Sequence, residues 1–194
     1  MKIAQMKLLI VDNYDSFTFN LVELIRRTGY NDFEVMKSDK ILIHEIDRFD
    51  KILFTPGPGL PQDFPIMFEI LKMYEKEKSI FGVCLGHQAI GEFYGANLIN
   101  HKNVVHGIKK SVNVIDKNEL LFREIPERIN VGLYHSWFIS NTNFPSNLKI
   151  TAVSEDNIIM ALSHTVYDVR GVQFHPESIM TDSGLTIISN WLFQ

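Results

Sequence analysis

The chain has one cysteine, Cys84, among its 194 residues. Neither an internal disulfide nor a multi-cysteine zinc site can form, and a reducing cytoplasm is the simplest compartment to expect. Long hydrophobic runs are missing too. The longest uninterrupted apolar stretch is Ile158 to Leu162, far short of the ~18–20 residues that cross a bilayer. No block of like charge stands out, and 19 basic against 23 acidic residues leave a net charge of −4. A basic face for nucleic acid or anionic lipid is therefore not indicated, and neither nucleic acid nor membrane is expected as a partner. Residues 1–11 interrupt their apolar run with Lys2, Gln5 and Lys7 and lead into Asp12, which makes a poor signal peptide and a good first strand. Linkers, repeats and low-complexity tracts are absent as well. With 45% apolar and 22% charged residues, residues 1–194 read as a single domain with a sizeable core.

What is present is an alternation of short apolar runs with helical patterns, which predicts βαβ units and an open, mainly parallel twisted sheet flanked by helices. Lys7–Val11 reads as a buried strand that breaks at Asp12-Asn13-Tyr14-Asp15-Ser16. Phe17, Leu21, Leu24, Ile25 and Thr28 then recur at helical spacing, with Asp15 or Ser16 able to cap the helix and Gly29 just past its end. Phe33–Met36, Lys51–Thr55 and Ile80–Val83 are further strands. Phe64–Glu75 is a helix with Pro65 in its first turn. After Gly95 the texture changes: Val112–Ile115, Leu148–Val153, Ile158–Ser163 and Val169–Phe174 are strand-like without full helices between them, which predicts hairpins and sheet extensions. Ser183–Phe193 closes the chain as a short helix.

Three segments carry candidate chemistry. Gly82-Val83-Cys84-Leu85-Gly86 follows a strand and precedes the helical stretch His87–Tyr94, the shape of a nucleophile elbow with cysteine in place of serine. So tight a turn leaves little room for side chains, hence glycines on both sides of the cysteine. It sets the sulfur near the first free N–H groups of a helix, whose dipole favours an anion, and aims the Leu85 N–H at a developing oxyanion. The plainer alternative is a small buried apolar residue, which is what free cysteines usually are. Thr55-Pro56-Gly57-Pro58-Gly59 ends another strand, where ligands bind in doubly wound sheets, although Pro-Gly pairs also make ordinary sharp turns. Gln173-Phe174-His175-Pro176-Glu177 ends a third, with a histidine able to move protons and a carboxylate able to orient its ring. His87, three residues after Cys84, is the rival base, and spacing alone leaves the choice open. His101 and His106 lack the compact spacing of a metal site.

Read together, Asp12–Thr18, Pro56–Gly59, Gly82–Gln88, Tyr134-His135-Ser136 and Gly171–Ser178 occur in one chain and in order. This set resembles the class I (triad-type) glutamine amidotransferases. More narrowly it is similar to component II of anthranilate synthase and of aminodeoxychorismate (para-aminobenzoate) synthase. The opening motif sets it apart from relatives serving GMP, CTP and carbamoyl phosphate synthesis. The resemblance implies an open α/β fold with a flavodoxin-like core and a Cys84, His175, Glu177 triad as nucleophile, base and orienting carboxylate. Gly57, Pro58, Gly59 and Leu85 would line the glutamine amide and its oxyanion, while Gln88, Ser136 and Trp137 would hold the amino acid end. It implies glutamine as substrate, no metal or organic cofactor of the chain's own, and a chorismate-using synthase component I that receives the ammonia. The sequence departs from the family's usual pattern at Trp137, at Ile108-Lys109-Lys110 and at Leu133, none of them in the triad. A stand-alone Cys-His hydrolase, such as a gamma-glutamyl hydrolase, would share the elbow and the histidine but needs neither the Asp12–Thr18 motif nor Gln88. A flavodoxin-like binding module would leave Cys84 inert.

Overall fold

The computed structural model describes residues 6–194; residues 1–5 of the expected first strand segment lie outside the described residues. The strands are β1 (Leu8–Asp12), β2 (Phe33–Lys37), β3 (Lys51–Phe54), β4 (Ser79–Val83), β5 (Leu98–Val114), β6 (Arg128–Ile139), β7 (Leu148–Ser154), β8 (Ile159–His164) and β9 (Val169–Val172). The α-helices are α1 (Thr18–Arg27), α2 (Ile66–Tyr74), α3 (Leu85–Phe93) and α4 (Gly184–Leu192). All nine strands form one open sheet in the order β2-β1-β3-β4-β9-β8-β7-β5-β6. The pairings from β2 across to β9 are parallel, and those from β9 out to β6 are antiparallel.

Inside the edge strand β2, the parallel half is buried on both faces, and its sequence shows why. β1, β3 and β4 are buried at every position, so they are continuous apolar runs rather than alternating ones. Successive side chains still point to opposite faces. Leu8 and Ile10 join Leu21 and Ile25 of α1 and Ile187 and Trp191 of α4 in one core. Leu9 and Val11 join Met67 and Ile70 of α2 and Leu85 and Ala89 of α3 in the other. The carboxyl ends of β1, β3, β4 and β9 thus emerge together along one rim of the sheet.

Two boundaries differ from expectation for local reasons. The residue preceding α1 is Phe17, which has no capping side chain. Asp15 acts one step earlier, its Oδ1 accepting the Phe17 N–H at 2.7 Å, because the chain has already turned at Tyr14 with a φ of 63°. Helix α2 starts at Ile66 rather than Phe64, since Pro65 disfavours helical backbone in the residue before it. Gly29 ends α1 as expected, at a φ of +87°. The largest difference is in the antiparallel half: β5 runs for 17 residues, and β6 is not expected from the sequence at all. Strand β5 is polar and pairs with β6 through register shifts near His106 and Ile108, so it shows no clean alternation, whereas β6 does alternate, with Ile129, Val131 and Leu133 buried in the core and Arg128 and Asn130 turned outward. Gly107 takes a φ of +68° at that irregularity. Among the described residues no helix is long and apolar enough to cross a membrane.

Lys51, at the start of β3, is fully buried. Its Nζ donates to the Trp191 carbonyl at 3.0 Å and lies 5.2 Å over the indole of the same residue. Burial, with the Arg170 charge nearby, pushes its pKa down to about 8. An unfolded chain restores the ordinary lysine value, so between pH 8 and that value the unfolded state binds more protons and stability rises with pH. Relative to Lys51→Met, the wild-type Tm is therefore expected to climb as pH is taken from 8 towards ~10.4. Parallel Tm profiles for the two proteins would contradict this.

Candidate active site

Cys84 sits where β4 gives way to α3, with φ 52° and ψ −100°. Such a backbone costs a non-glycine residue on the order of 1–3 kcal/mol, and it persists only where the surroundings fix it. Here they do. The Cys84 N–H donates to Val172 O at 2.9 Å, and the Cys84 carbonyl accepts the Gln88 N–H at 3.0 Å. A Cβ on Gly82 would come within 2.5 Å of Gly86 O, and one on Gly86 within 2.6 Å of Phe54 Cβ. Both flanking glycines are thus required by close backbone approach. The turn leaves Leu85 as the first residue of α3, so its N–H is one of the helix's unpaired initial donors. Opposite lies the Pro56–Gly59 loop, where Gly57 packs so tightly that a Cβ would meet Leu85 Cδ2 at 2.5 Å and Asn13 Cβ at 2.8 Å. Asn13 holds that loop from the end of β1, its N–H donating to Thr55 Oγ1 at 2.9 Å and its Nδ2 to Thr55 O at 3.0 Å.

His175 and Glu177 follow β9, the strand beside β4. His175 Nδ1 lies 2.6 Å from Glu177 Oε1, with both side chains buried. Three contacts fix His175 further. Its backbone N–H donates to Gly132 O at 3.1 Å, Phe17 meets its ring edge-on at 5.4 Å, and Tyr134 does so at 4.9 Å. Burial alone would lower its pKa, but Cys84 and the Glu177 carboxylate beside it outweigh that and hold it well above the ordinary imidazole value. Nε2 is buried and has no hydrogen-bond partner among the described residues. His87, the rival base, is fully buried. It is packed inside α3 against Gly171, where an added Cβ would lie 2.9 Å from His87 Nδ1. Burial pushes its pKa down to about 3, which makes it a core residue.

A cavity of about 270 Å³ opens over the sulfur, lined by Gly57, Pro58, Gly59, Cys84, Leu85, Gln88, Tyr134, His135, Ser136 and Trp137. The seven residues expected to contact substrate are all in that lining. Gln88 Nε2 donates to Trp137 O at 2.7 Å and to Gln173 Oε1 at 3.1 Å. Its two N–H groups are thereby used within the protein, and Oε1 is what it has left to offer a ligand. His135 Nδ1 shares the Trp137 carbonyl at 2.9 Å, and burial pushes its pKa down to about 4. Among the described residues no group of three or more His, Cys, Asp or Glu side chains is arranged to hold a metal ion.

Residues 9–194 match the class-I glutamine amidotransferase family. The chain belongs to the class-I glutamine amidotransferases. A Haemophilus influenzae protein provisionally named anthranilate synthase component II is 44% identical over 96% of each chain. Anthranilate synthase component 2 of Pyropia yezoensis is 43% identical over 95% of this chain and 98% of its own. Among solved structures, a Thermoplasma acidophilum protein provisionally named as part of a GMP synthase superposes with a TM-score of 0.86 at 24% identity, covering 97% of this chain and 92% of that one. That likeness speaks for the fold alone. It also shows that the antiparallel extension expected after Gly95, with the unexpected β6 included, belongs to a fold shared at low identity.

Sequence reasoning placed none of Asn13, Phe17 and Tyr134 in the site, although all three lie in the motifs that mark this amidotransferase. The signal was present in those motifs, but only the fold shows that they support the loop and the imidazole. Because the elbow depends on backbone packing, Gly86→Ala is expected to cost about 1–3 kcal/mol of stability as an overpacked site, read as a lower denaturant midpoint. An unchanged midpoint would mean that β3 can move aside and the elbow is not so constrained.

Proposed function

We propose that this amidotransferase is the glutaminase component of a chorismate-using synthase, hydrolysing glutamine at Cys84 and delivering the ammonia to a component I partner. The observation that carries the reading is the single cavity in which Cys84 faces the Gly57–Gly59 loop, Gln88 and the Ser136–Trp137 backbone, with a glutamate-bound histidine behind the sulfur. The names of the relatives favour anthranilate synthase over aminodeoxychorismate synthase as the complex served. The same reading treats residues 1–194 as one domain working in the cytoplasm without a cofactor of its own.

The chemistry follows from the geometry. The Cys84 thiolate attacks the side-chain amide carbon, and the oxygen's growing charge is met by the Leu85 N–H and the Gly57–Gly59 loop. His175, held as imidazolium by Glu177, gives its proton to the amide nitrogen as the C–N bond breaks. Ammonia leaves and a glutamyl thioester remains. Water then passes a proton to His175 and attacks the thioester carbonyl, the C–S bond breaks, and glutamate departs with thiolate and imidazolium restored. Gln88 Oε1 accepts from the substrate's α-ammonium group. Protonated ammonia is not a nucleophile, so transfer through a closed interface is the economical way to use it, and this argues for a protein partner.

Three variants test the assignment. Cys84→Ser is expected to abolish glutamine-dependent synthesis by the assembled complex while synthesis from added ammonium salt persists. His175→Asn is expected to cost glutamine hydrolysis several orders of magnitude. Glu177→Gln is expected to cost less, within the ~10⁴ that losing a triad carboxylate can take. If Cys84→Ser removed both activities from an intact complex, Cys84 would serve the synthase or the fold and the assignment would fail.

A further inference from the structure

Gln173 lies just beyond β9, is fully buried, and has no part in the hydrolysis as derived from the triad. Its Nε2 lies 3.6 Å from Cys84 Sγ, and its Oε1 accepts from Gln88 Nε2 at 3.1 Å. The direction of this chain of bonds is set at its far end. The Trp137 carbonyl can only accept, so Gln88 must turn its nitrogen towards it, at 2.7 Å. The second hydrogen of that nitrogen then requires an oxygen from Gln173, and the amide of Gln173 has only its nitrogen left for the sulfur. A backbone carbonyl in β6 thus dictates that the thiol meets a donor rather than an acceptor.

We infer that Gln173 is a positioning residue for the hydrolysis: through the Trp137–Gln88–Gln173 relay it holds Cys84 Sγ by a donated hydrogen bond that favours the anion and fixes its line of attack. This rests on the reading of Cys84 as nucleophile. Hydrogen bonds from neutral donors to an anion are among the stronger ones in proteins, and a bond given to the charged form favours that form. The relay also ties the sulfur to the wall that receives the amino acid end of the substrate, since Gln88 and Trp137 line the cavity. The titratable neighbours are His175 and, behind it, Glu177, with His135 from β6 sharing the Trp137 carbonyl and His87 from α3 packed against Gly171. None of the four is hydrogen-bonded to Gln173.

The test uses Gln173→Met, which keeps length but removes the donor, and Gln173→Glu, which keeps the oxygen facing Gln88 and presents only acceptors to the sulfur. The rate of Cys84 alkylation by iodoacetamide is followed against pH on the full chain, and kcat and KM for glutamine are measured in the complex with its synthase. The alkylation profile is expected to move to higher pH in both variants, further in Gln173→Glu. The kcat is expected to fall about tenfold to a hundredfold with KM within about threefold, as for loss of a bond to a charged group. Profiles that stay in place would overturn the proposal, whether or not Tm falls, because a purely structural residue would lower Tm alone. A rise in KM with kcat kept would also overturn it, by making Gln173 a pocket residue. The alkylation profile is read on the thiol itself, so it stands apart from whether Cys84→Ser removes glutamine use.

Discussion

The left-handed backbone of Cys84 is the constraint on which the other features of the site depend. At φ 52° the chain leaves β4, turns the sulfur to the cavity and starts α3 within a single residue. That conformation costs free energy on the order of 1–3 kcal/mol, and it is offset by neighbours that allow nothing else. Gly82 lies against Gly86, Gly86 against Phe54, and Val172 O accepts the Cys84 N–H. Each of these contacts comes from a different strand or helix. Strain at one residue is thereby spread over β3, β4, β9 and α3, which already pack together for apolar reasons.

The two halves of the sheet divide the work. The parallel half, whose inner strands are buried on both faces, brings the ends of β1, β3, β4 and β9 to one rim, and with them Asn13, the Pro56–Gly59 loop, Cys84 and the Gln173–Glu177 segment. The antiparallel half contributes a wall. β6 carries Tyr134 against the imidazole and Trp137 over the cavity, and it is joined to the His175–Glu177 segment by the Gly132–His175 bridge. Gly132 itself has no room for a side chain, since a Cβ would come within 2.9 Å of Ser178 Cβ. Charge is kept in order by burial. His87 and His135 are pushed towards neutrality, whereas His175, with its carboxylate partner, is held charged.

How much of this is legible in the sequence depends on where each signal comes from. Leu8–Val11, Ile52–Phe54 and Ile80–Val83 could be recognised as strands because burial on both faces demands continuous apolar runs. The elbow could be recognised because Gly82 and Gly86 are needed at fixed offsets from Cys84. Strand β6 is a different case: Ile129, Val131 and Leu133 alternate into the core as a half-buried strand should, and the polar His135 and Ser136 interrupt that pattern before Trp137. Spacing could not choose between His87 and His175, although the family motif favoured His175: three residues along a helix from the sulfur suggests proximity, yet the α3 start turns His87 inward to Gly171. The relay through Gln173 was invisible for a similar reason, as its direction comes from a backbone carbonyl 36 positions away in sequence (173 minus 137).

The central claim is that this strained elbow makes Cys84 a nucleophile towards glutamine and not merely a buried thiol. The most direct measurement is to incubate the full chain, with its synthase, with a chemically reactive glutamine analogue and map the adduct by peptide mass spectrometry. A single adduct on Cys84, suppressed by excess glutamine and lost in a chain whose His175 is replaced by Asn, is the predicted result. An unlabelled Cys84, or labelling that glutamine does not compete away, would contradict the account.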